Sequence, residues 1–328
     1  MTRPIASILG TGRFLPANVV TNADLEKRID TSDEWIRSRT GIRARRIAGP
    51  GELPSDMATE AAKQALAKAG VAAGQLDAII TATLTPDYPF PATACVVQHK
   101  LGATKAFTFD LQAACSGFIY GLAVAEGLIA SGAARYVLVC GSEKLSTITD
   151  WQDRNTCVLF GDGAGAAVLG PATDKGRIMS LYLGADGSMV PKLLQPAGGS
   201  AMPADAESVA KRMHFLKMDG KEVFKFAVRI MGEASAEALK RAGWEAKDIA
   251  LFIPHQANLR IIESAAKYME LPMERVFVNL DQYGNTSAAS VAIALDEAQE
   301  QGRLKHGDKT VMVAFGAGLT WASCAIQW

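Results

Sequence analysis

Cys115 is the first residue of this sequence that could carry covalent chemistry. It lies in AFTFDLQAACSGFIY, residues 106–120, where an apolar run typical of a β-strand ends and small residues typical of a helix start follow. Backbone N–H groups and the helix dipole favour a thiolate at such a position. A free cysteine has a pKa of about 8.5, and a helix N-terminus can lower that pKa substantially. We therefore predict that Cys115 is a nucleophile with a lowered pKa.

His255 and Asn285 are two further candidates. His255 follows an apolar run in FIPHQANLR, and a base at a strand end is sheltered yet accessible to substrate. Taken alone, a histidine hydrogen-bonded at a strand end is the simpler interpretation. Asn285 lies in DQYGNTSAAS, where Gly-Asn suits a turn and Thr286 or Ser287 is suited to cap the next helix. Asparagine is common at turns, so this position also has a purely structural interpretation.

The elements that must position these residues nearly repeat along the chain. Alternating helix and strand patterns predict a mainly parallel α/β architecture. Three segment pairs recur in the same order about 170 residues apart: ALAKAG with ALKRAG, FTFDLQAAC with VFVNLDQYGN, and YVLVCGSEK with VMVAFGAGL. We predict two similar halves, residues 1–173 and residues 174–328. In this repeat, Asn285 falls about where Cys115 falls in the first half.

The repeat has a chemical consequence. Ligands of open α/β sheets bind at the carboxyl ends of the strands. If a pseudo-twofold axis relates the halves, those ends converge on one cleft. The residues expected there are Cys115, His255, Asn285 and Gly316.

Composition narrows the function classes. The 328 residues include 34 Lys+Arg and 34 Asp+Glu, so no global charge favours nucleic acid or a membrane surface. Apolar runs are interrupted well before membrane-spanning length. The five cysteines are odd in number and scattered, which favours reduced thiols in a cytoplasmic protein.

Other motifs carry less weight. Cys95 and His99 lie four residues apart on a predicted helix, which more often reflects packing and a polar helix end than a catalytic pair. The sequence contains neither CxxC nor HExxH, so we predict no metal site. GTG at residues 10–12 has Leu15 where a dinucleotide fingerprint needs its third glycine, and GDGAGAAVLG leads into a predicted strand. Five arginines follow Trp35 between residues 37 and 46, and an exposed face is the default interpretation. Trp35 beside arginines also suits stacking on a base and pairing with phosphates.

Taken together, these segments resemble the thiolase superfamily and, within it, the β-ketoacyl-[acyl carrier protein] synthase III family. The resemblance covers essentially the whole chain. Its motifs, in order, are TGIRARRI, DLQAACSGF, FGDGAGAAVL, MDGKEVFKFAV, IPHQANLRII, GNTSAASVAIALDEA and AFGAGLTWAS. A Cys-His-Asn set matches this branch, whereas elongating ketosynthases have a second His and thiolases a second Cys.

The resemblance implies a five-layered αβαβα fold, a homodimer and an acyltransferase that initiates fatty acid synthesis. Cys115 would attack the thioester of an acyl-coenzyme A primer, with acetyl-coenzyme A expected. The N–H groups of Cys115 and Gly316 would hold the oxyanion. His255 and Asn285 would stabilise the enolate formed when malonyl-acyl carrier protein loses carbon dioxide. The product would be a 3-oxoacyl-acyl carrier protein, and no cofactor is expected beyond the coenzyme A thioester as substrate.

The resemblance also implies binding residues. Those matching coenzyme A contacts are Trp35, Arg39, Thr40, Arg154 and Asn258. Those matching carrier-protein docking positions are Lys225, Arg260 and Lys267. Phe90 matches a residue that reaches across the dimer and limits the acyl pocket, and Phe315 is expected beside the cleft, where it would gate it.

Four positions depart from the family pattern. Ala317 replaces a glycine, Leu319 replaces a common aromatic residue, Lys221 replaces an asparagine, and Tyr268 replaces a second docking lysine. They leave the loop shape and the primer preference open. Candidate primers differ by a few methylenes, each of which changes affinity by only about 1–3 kcal/mol. Two alternatives remain: a secondary-metabolism condensing enzyme using other acyl groups or coenzyme A-bound extenders, and a non-catalytic acyl-binding homologue. The second is disfavoured because all three catalytic residues are present.

Overall fold

The computed structural model describes residues 5–328. Its strands are β1 Ala6–Phe14, β2 Val19–Thr21, β3 Ala44–Arg46, β4 Ala78–Ala82, β5 Phe107–Leu111, β6 Val137–Glu143, β7 Gly163–Pro171, β8 Arg177–Ala185, β9 Leu193–Leu194, β10 Lys217–Met218, β11 Leu251–Pro254, β12 Lys309–Gly316 and β13 Thr320–Gln327. Its helices are α1 Asn22–Glu26, α2 Asp33–Thr40, α3 Pro54–Ala69, α4 Thr93–Leu101, α5 Gly117–Ala130, α6 Ala206–Ala210, α7 Gly220–Ala242, α8 Leu259–Tyr268, α9 Leu280–Tyr283 and α10 Ala289–Glu300.

Within residues 5–328, nine strands form one continuous sheet, in the order β11-β12-β13-β8-β1-β7-β6-β4-β5. The two halves of this sheet meet at a single residue pair, Ser7 with Arg177. Parallel pairing is confined to β4 with β5 and β6, and to β11 with β12. The prediction of a mainly parallel sheet is therefore wrong. Helical crossovers produce parallel neighbours, whereas β12 turns directly into β13 and β6 reaches β7 without a long helix.

Helices and the two half-sheets form five layers. α3 and α4 cover the outer face of the first half, and α7 and α8 cover the outer face of the second. α5 and α10 lie in between and bury apolar residues from both halves in one core. The αβαβα fold and its two pseudo-repeated halves are confirmed. The boundary at residues 173/174 lies between β7 and β8 and stays a prediction.

The glycines of GTG serve packing. A Cβ at Gly10 would lie 2.4 Å from the carbonyl oxygen of Ala65, and one at Gly12 would lie 2.2 Å from that of Ala61. Both alanines belong to the buried face of α3. These glycines therefore let α3 approach β1 closely.

Matched close contacts reveal the pseudo-symmetry locally. Gly316 ends β12, and a Cβ there would lie 2.5 Å from the backbone nitrogen of Cys115. Gly141, its partner in the repeat, would likewise meet the carbonyl oxygen of Ala288 at 2.4 Å. The residue before each contact has a positive φ, +45° at Ala114 and +49° at Ser287. Cys115 thus corresponds to Ala288, three residues beyond the predicted counterpart Asn285.

The second-half counterpart of β5 is shorter than predicted. Among the described residues, VFVNL retains one bridge, between Phe252 and Val276. Beyond it, the Gln256 side chain takes over the pairing: its Oε1 accepts the Asn279 and Leu280 N–H groups at 3.0 and 3.2 Å. A side-chain amide here supplies the hydrogen bonds that a longer ladder would have made. Within residues 5–328, no helix is long and apolar enough to span a bilayer.

Candidate active site

Cys115 lies in the turn Ala114–Ser116, immediately before α5. The turn is anchored by the Ser116 hydroxyl, which donates to the Ala113 carbonyl at 2.7 Å. Cys115 lines a cavity of about 660 Å³. The apolar part of its lining includes Leu84, Leu145, Ile148, Phe160, Val190, Leu193, Leu194 and Leu216. The location at a strand–helix seam is as predicted.

The predicted direction of the Cys115 pKa is wrong. Burial raises the pKa of this thiol to about 12, and the nearby Glu143 carboxylate raises it further. Hydrogen bonds with Ser287 and with Asn285 lower the pKa but do not outweigh burial. Desolvation of a thiolate therefore exceeds the help from backbone N–H groups. The free site holds a neutral thiol and needs a proton acceptor.

His255 follows β11 and is almost completely buried. Its backbone N–H donates to the Val313 carbonyl at 2.8 Å, and its Nδ1 lies 2.5 Å from the Ser290 hydroxyl. The buried Nε2 has no hydrogen-bond partner among the described residues. Burial lowers the pKa of His255 to about 3, so the ring is neutral at physiological pH. When Ser290 donates to Nδ1, the ring proton lies on Nε2, which becomes a donor.

Asn285 is held by its backbone and by its own side chain. Its N–H donates to the Leu159 carbonyl at 2.8 Å, and its carbonyl accepts from the Gly161 N–H at 3.0 Å. Its Oδ1 accepts from the Ser287 N–H at 2.8 Å. With Oδ1 engaged, the amide nitrogen is the group left to donate. The hydrogen bond that lowers the pKa of Cys115 places this amide at the sulfur.

Two elements bring the three residues together. Ser287 meets Cys115 just before α10, and Ser290 in the first turn of α10 meets His255. β12 adds Phe315, whose ring packs edge-on against His255 at 5.8 Å between centroids. Gly316 follows it and abuts the Cys115 nitrogen. The structure thus brings these residues close together, while their sharing of one cleft and the oxyanion role of Gly316 stay predictions.

Glu143 is a functional candidate that the sequence analysis missed. It is fully buried at the end of β6, and its carboxylate accepts the Ser287 hydroxyl at 3.0 Å and the Thr85 hydroxyl at 2.6 Å. An acidic residue closing the apolar run VLVCGSE was the available signal. Ser287 and Ser290, which contact the nucleophile and the histidine, carried no signal beyond helix capping.

The predicted coenzyme A residues form one patch. Arg39 and Arg154 both stack on the Trp35 ring, with guanidinium carbons 4.7 and 4.8 Å from its centre. Arg154 packs so closely that a base fits between it and Trp35 only after the arginine moves. The Asn258 amide donates to the Arg39 carbonyl at 3.0 Å. Thr40 is buried, and its hydroxyl donates to the Ile36 carbonyl within α2.

The predicted docking residues lie on two packed helices. Lys225 is exposed on α7, and Arg260 and Lys267 are exposed on α8. Lys221 is exposed at the start of α7. This surface is basic but also carries Glu222, which pairs with Lys225 at 2.8 Å.

Neither predicted acyl-pocket phenylalanine lines the cavity. Phe90 is 85% exposed, on a segment leading into α4, and Phe315 is buried against His255. Of the departing positions, Ala317 lines the cavity and Leu319 is fully buried. Within residues 5–328, no group of three or more His, Cys, Asp or Glu side chains could hold a metal ion.

Comparisons with known proteins show the family to which the chain belongs. The family profile described as 3-oxoacyl-[acyl-carrier-protein (ACP)] synthase III matches residues 109–187, and the profile of its C-terminal part matches residues 239–328. The β-ketoacyl-[acyl-carrier-protein] synthase III of Caldanaerobacter subterraneus subsp. tengcongensis is 58% identical over 323 residues, 98% of each chain.

Solved structures are similar along the whole chain. The crystal structure of 3-oxoacyl-[acyl-carrier-protein] synthase III from Aquifex aeolicus superposes with a TM-score of 0.91 at 50% identity, over 98% of this chain and 100% of that one. The priming β-ketosynthase of the R1128 polyketide pathway has a TM-score of 0.92 at 39% identity, over 99% of this chain and 96% of that one.

Proposed function

Because the chain belongs to the β-ketoacyl-[acyl-carrier-protein] synthase III family, we propose that it condenses an acyl-coenzyme A primer with malonyl-acyl carrier protein. The reaction starts fatty acid synthesis and releases carbon dioxide. The observation that carries the proposal is that Cys115 lines the cavity, Asn285 contacts its sulfur, and the first turn of α10 holds His255 beside them. The apolar lining of that cavity suits an alkyl chain, with acetyl as the expected primer.

The first half-reaction is acyl transfer to the protein. Cys115 gives up its proton, and its sulfur attacks the thioester carbonyl of the primer. The contact between Gly316 and the Cys115 nitrogen supports an oxyanion site formed by these two backbones. Coenzyme A leaves, and its nucleotide end is proposed to bind the patch around Trp35.

The second half-reaction is decarboxylation and carbon–carbon bond formation. The Nε2–H of His255 and the amide of Asn285 donate to the thioester oxygen of the malonyl group. A neutral imidazole and a carboxamide stabilise an enolate without losing a proton to it. The carbanion then attacks the acyl group on Cys115. Loss of one such donor typically costs about 2.7–4 kcal/mol in activation free energy.

Replacement of the nucleophile tests the first step. Cys115→Ala is expected to form no acyl-enzyme with radiolabelled acetyl-coenzyme A, while the protein keeps its fold by circular dichroism. Intact-protein mass spectrometry with a panel of acyl-coenzyme A thioesters identifies the primer at the same time. Covalent labelling that persists in Cys115→Ala would contradict the assignment.

Replacement of the two donors separates the half-reactions. His255→Ala and Asn285→Ala are expected to slow malonyl decarboxylation by about 100-fold or more, from the cost above, and to slow acylation much less. Radiolabelled carbon dioxide release and acyl-enzyme formation are measured in parallel. Equal losses in both half-reactions would indicate a general structural role.

The proposal extends to partners and location. The exposed basic residues of α7 and α8 support docking of an acidic carrier protein. The strongly exposed Phe90 supports a homodimer in which an apolar surface is covered. We place the enzyme in the cytoplasm, in keeping with the scattered free cysteines.

A second candidate function is priming of secondary metabolism with other acyl groups or coenzyme A-bound extenders. The similarity to the R1128 priming β-ketosynthase supports this second candidate. Steady-state rates with malonyl-acyl carrier protein and with malonyl-coenzyme A distinguish the two. A marked preference for malonyl-coenzyme A would support the second candidate.

A further inference from the structure

Glu143 is a fully buried carboxyl group beside the nucleophile that the proposed reaction does not use. It accepts hydrogen bonds from the Thr85 hydroxyl at 2.6 Å and the Leu84 N–H at 3.1 Å. It also accepts from the Ser287 hydroxyl at 3.0 Å and the Thr83 hydroxyl at 3.2 Å. Four neutral donors surround a buried acid, and within residues 5–328 no lysine or arginine pairs with it. Burying a carboxylate without an opposite charge costs free energy, which points to a function for Glu143.

The Ser287 hydroxyl connects this carboxyl group with the nucleophile. Ser287 and Cys115 line the same cavity, and the Ser287 hydroxyl lies beside the sulfur and donates to Glu143 Oε1 at 3.0 Å. The Ser287 N–H donates to the Asn285 side chain, which holds the hydroxyl in place. A hydroxyl accepts one proton while it donates another, so this arrangement can pass a proton along.

Glu143 and His255 are the two groups near Cys115 that could accept its proton, and His255 is the weaker acceptor. Its Nδ1 is engaged by Ser290, and burial lowers the pKa of the ring to about 3. Burial acts oppositely on the acid, because it raises the pKa of Glu143 to about 7. Near neutral pH, the carboxylate therefore binds a proton far more readily than the imidazole.

We propose that Glu143 is the proton acceptor that activates Cys115, with the Ser287 hydroxyl passing the proton between them. The inference rests on the proposed function in taking Cys115 as the nucleophile. The S–H bond breaks as Ser287 Oγ takes that proton and releases its own to Glu143 Oε1. The electron pair left on the sulfur forms the bond to the thioester carbonyl carbon.

The proton returns when the intermediate collapses. The bond from carbon to the coenzyme A sulfur breaks, and the departing sulfur takes the electron pair. It then takes the proton from Glu143 through Ser287, and the carboxylate is restored. No oxidant, metal or further reactant is needed.

The proton path predicts a distinctive pH profile. Cys115 is the titratable group facing Glu143 across Ser287. Lys144, next in the chain, turns away to the carbonyls of Gly49 and Glu52, and Asp162 is engaged by Ser146 and Ala48. Below about pH 7 the acceptor is protonated, and the reaction slows as pH falls. Between about pH 7 and 12 the pair holds one proton, so the rate is level.

The experiment measures alkylation of Cys115 by iodoacetamide from pH 5.5 to 9.5. Peptide mapping by mass spectrometry follows the site in a Cys95→Ser background, because Cys95 is exposed. In the parent protein, the alkylation rate of Cys115 is expected to rise with pH, pass an inflection near pH 7 and then level off. Glu143→Gln and Ser287→Ala are expected to react about 100-fold more slowly at pH 8. Their rates should climb about tenfold per pH unit without levelling, because the proton then goes to solvent.

Two features guard against a merely structural effect. Alanine suits the backbone at position 287, because Ala114 has nearly the same positive φ in the equivalent turn. Thr83→Val is the matched control, since it also removes one hydroxyl from Glu143 but leaves the path intact. It should keep the inflection, displaced to higher pH because a donor to the carboxylate is lost.

A parent-shaped profile in Ser287→Ala, or the same loss of inflection in Thr83→Val, would overturn the proposal. The alkylation assay uses no acyl substrate. A collapsed profile in the two variants together with no transfer from acetyl-coenzyme A would support the proton path and overturn the proposed function instead.

Discussion

At neutral pH the imidazole of His255 is an uncharged donor, because burial strongly disfavours its cationic form. Burial acts on Cys115 in the same sense and keeps the thiol protonated. The thiol of Cys115 and the imidazole of His255 are therefore both uncharged in the free site. For an enolate-forming step, a neutral Nε2–H is the useful state, and Ser290 at Nδ1 supports that tautomer.

The buried histidine should make the fold sensitive to acid. The folded-state pKa of about 3 lies below the unfolded value of about 6.5, so the unfolded chain binds more protons between these values. Stability is fully present above pH 6.5 and falls as pH falls. At pH 5 the loss attributable to His255 is about 2 kcal/mol. His255→Gln should lose less stability between pH 7.5 and 5 in urea denaturation.

The exposed His306 provides the matched control. His306→Gln should keep the parent's loss of stability over the same interval. An unchanged pH dependence in His255→Gln would mean that the ring is not held neutral by the fold.

At the scale of elements, the site is built by the ends of two secondary-structure elements. They are the last residue of β12 and the turn that begins α10. Gly316 touches the Cys115 turn, and Gly141 makes the equivalent contact with Ala288 in the other half. Only one of the two turns carries a thiol. The symmetry therefore separates the packing role of each glycine from its effect on the chemistry.

Gly316→Ala should displace the Cys115 turn, because its Cβ would lie 2.5 Å from a backbone nitrogen. Gly141→Ala crowds the backbone of Ala288 at 2.4 Å. Both should lose about 1–3 kcal/mol of unfolding free energy. Acyl-enzyme formation should fall about 100-fold in Gly316→Ala and much less in Gly141→Ala. Similar acylation rates in both variants would refute a special role for Gly316.

The proposed docking surface for the carrier protein comprises the exposed basic residues of α7 and α8. Lys225→Glu with Arg260→Glu should raise the KM for malonyl-acyl carrier protein about tenfold and leave that for malonyl-coenzyme A unchanged. Lys63→Glu is a suitable control, because Lys63 on α3 also pairs with an acid three residues earlier. A comparable rise in KM for malonyl-coenzyme A would place the effect at the active site.

At the scale of the whole molecule, the edge strand β5 bears on how copies of the chain assemble. It ends the nine-stranded sheet, so one row of its backbone groups has no neighbouring strand in the described part of the chain. Phe107 at its start is 45% exposed, and Tyr88 and Phe90 add further exposed apolar surface. Apolar surface beside an open strand edge is typical of an interface between copies.

Phe107→Asp should therefore shift the protein from two chains to one in sedimentation velocity, because a charge would be buried at the interface. Val19→Asp replaces a similarly exposed apolar residue on β2 and should leave the mass unchanged. A parent protein that sediments as one chain would contradict the proposed dimer.

The sequence by itself determined much of this protein. Apolar periodicity located the strands that end near Cys115 and His255, and the spaced repeats predicted two halves. Both features follow from the order and spacing of residue types along the sequence. Pattern reasoning was less accurate for strand direction and for the second-half counterpart of β5. Those depend on how connections run and on the Gln256 side chain, which replaces ladder bonds.

Only the tertiary structure decided the ionisation of the site. Helix-start reasoning predicted a lowered pKa for Cys115, whereas burial raises it. Desolvation depends on everything that covers a group, including residues more than 100 positions away in the chain. The same holds for Glu143, whose importance rests on its contact with Ser287, 144 residues later. The spacing of residues along the chain predicts on which element a side chain lies. Three-dimensional packing determines how far that side chain is desolvated, and therefore its pKa.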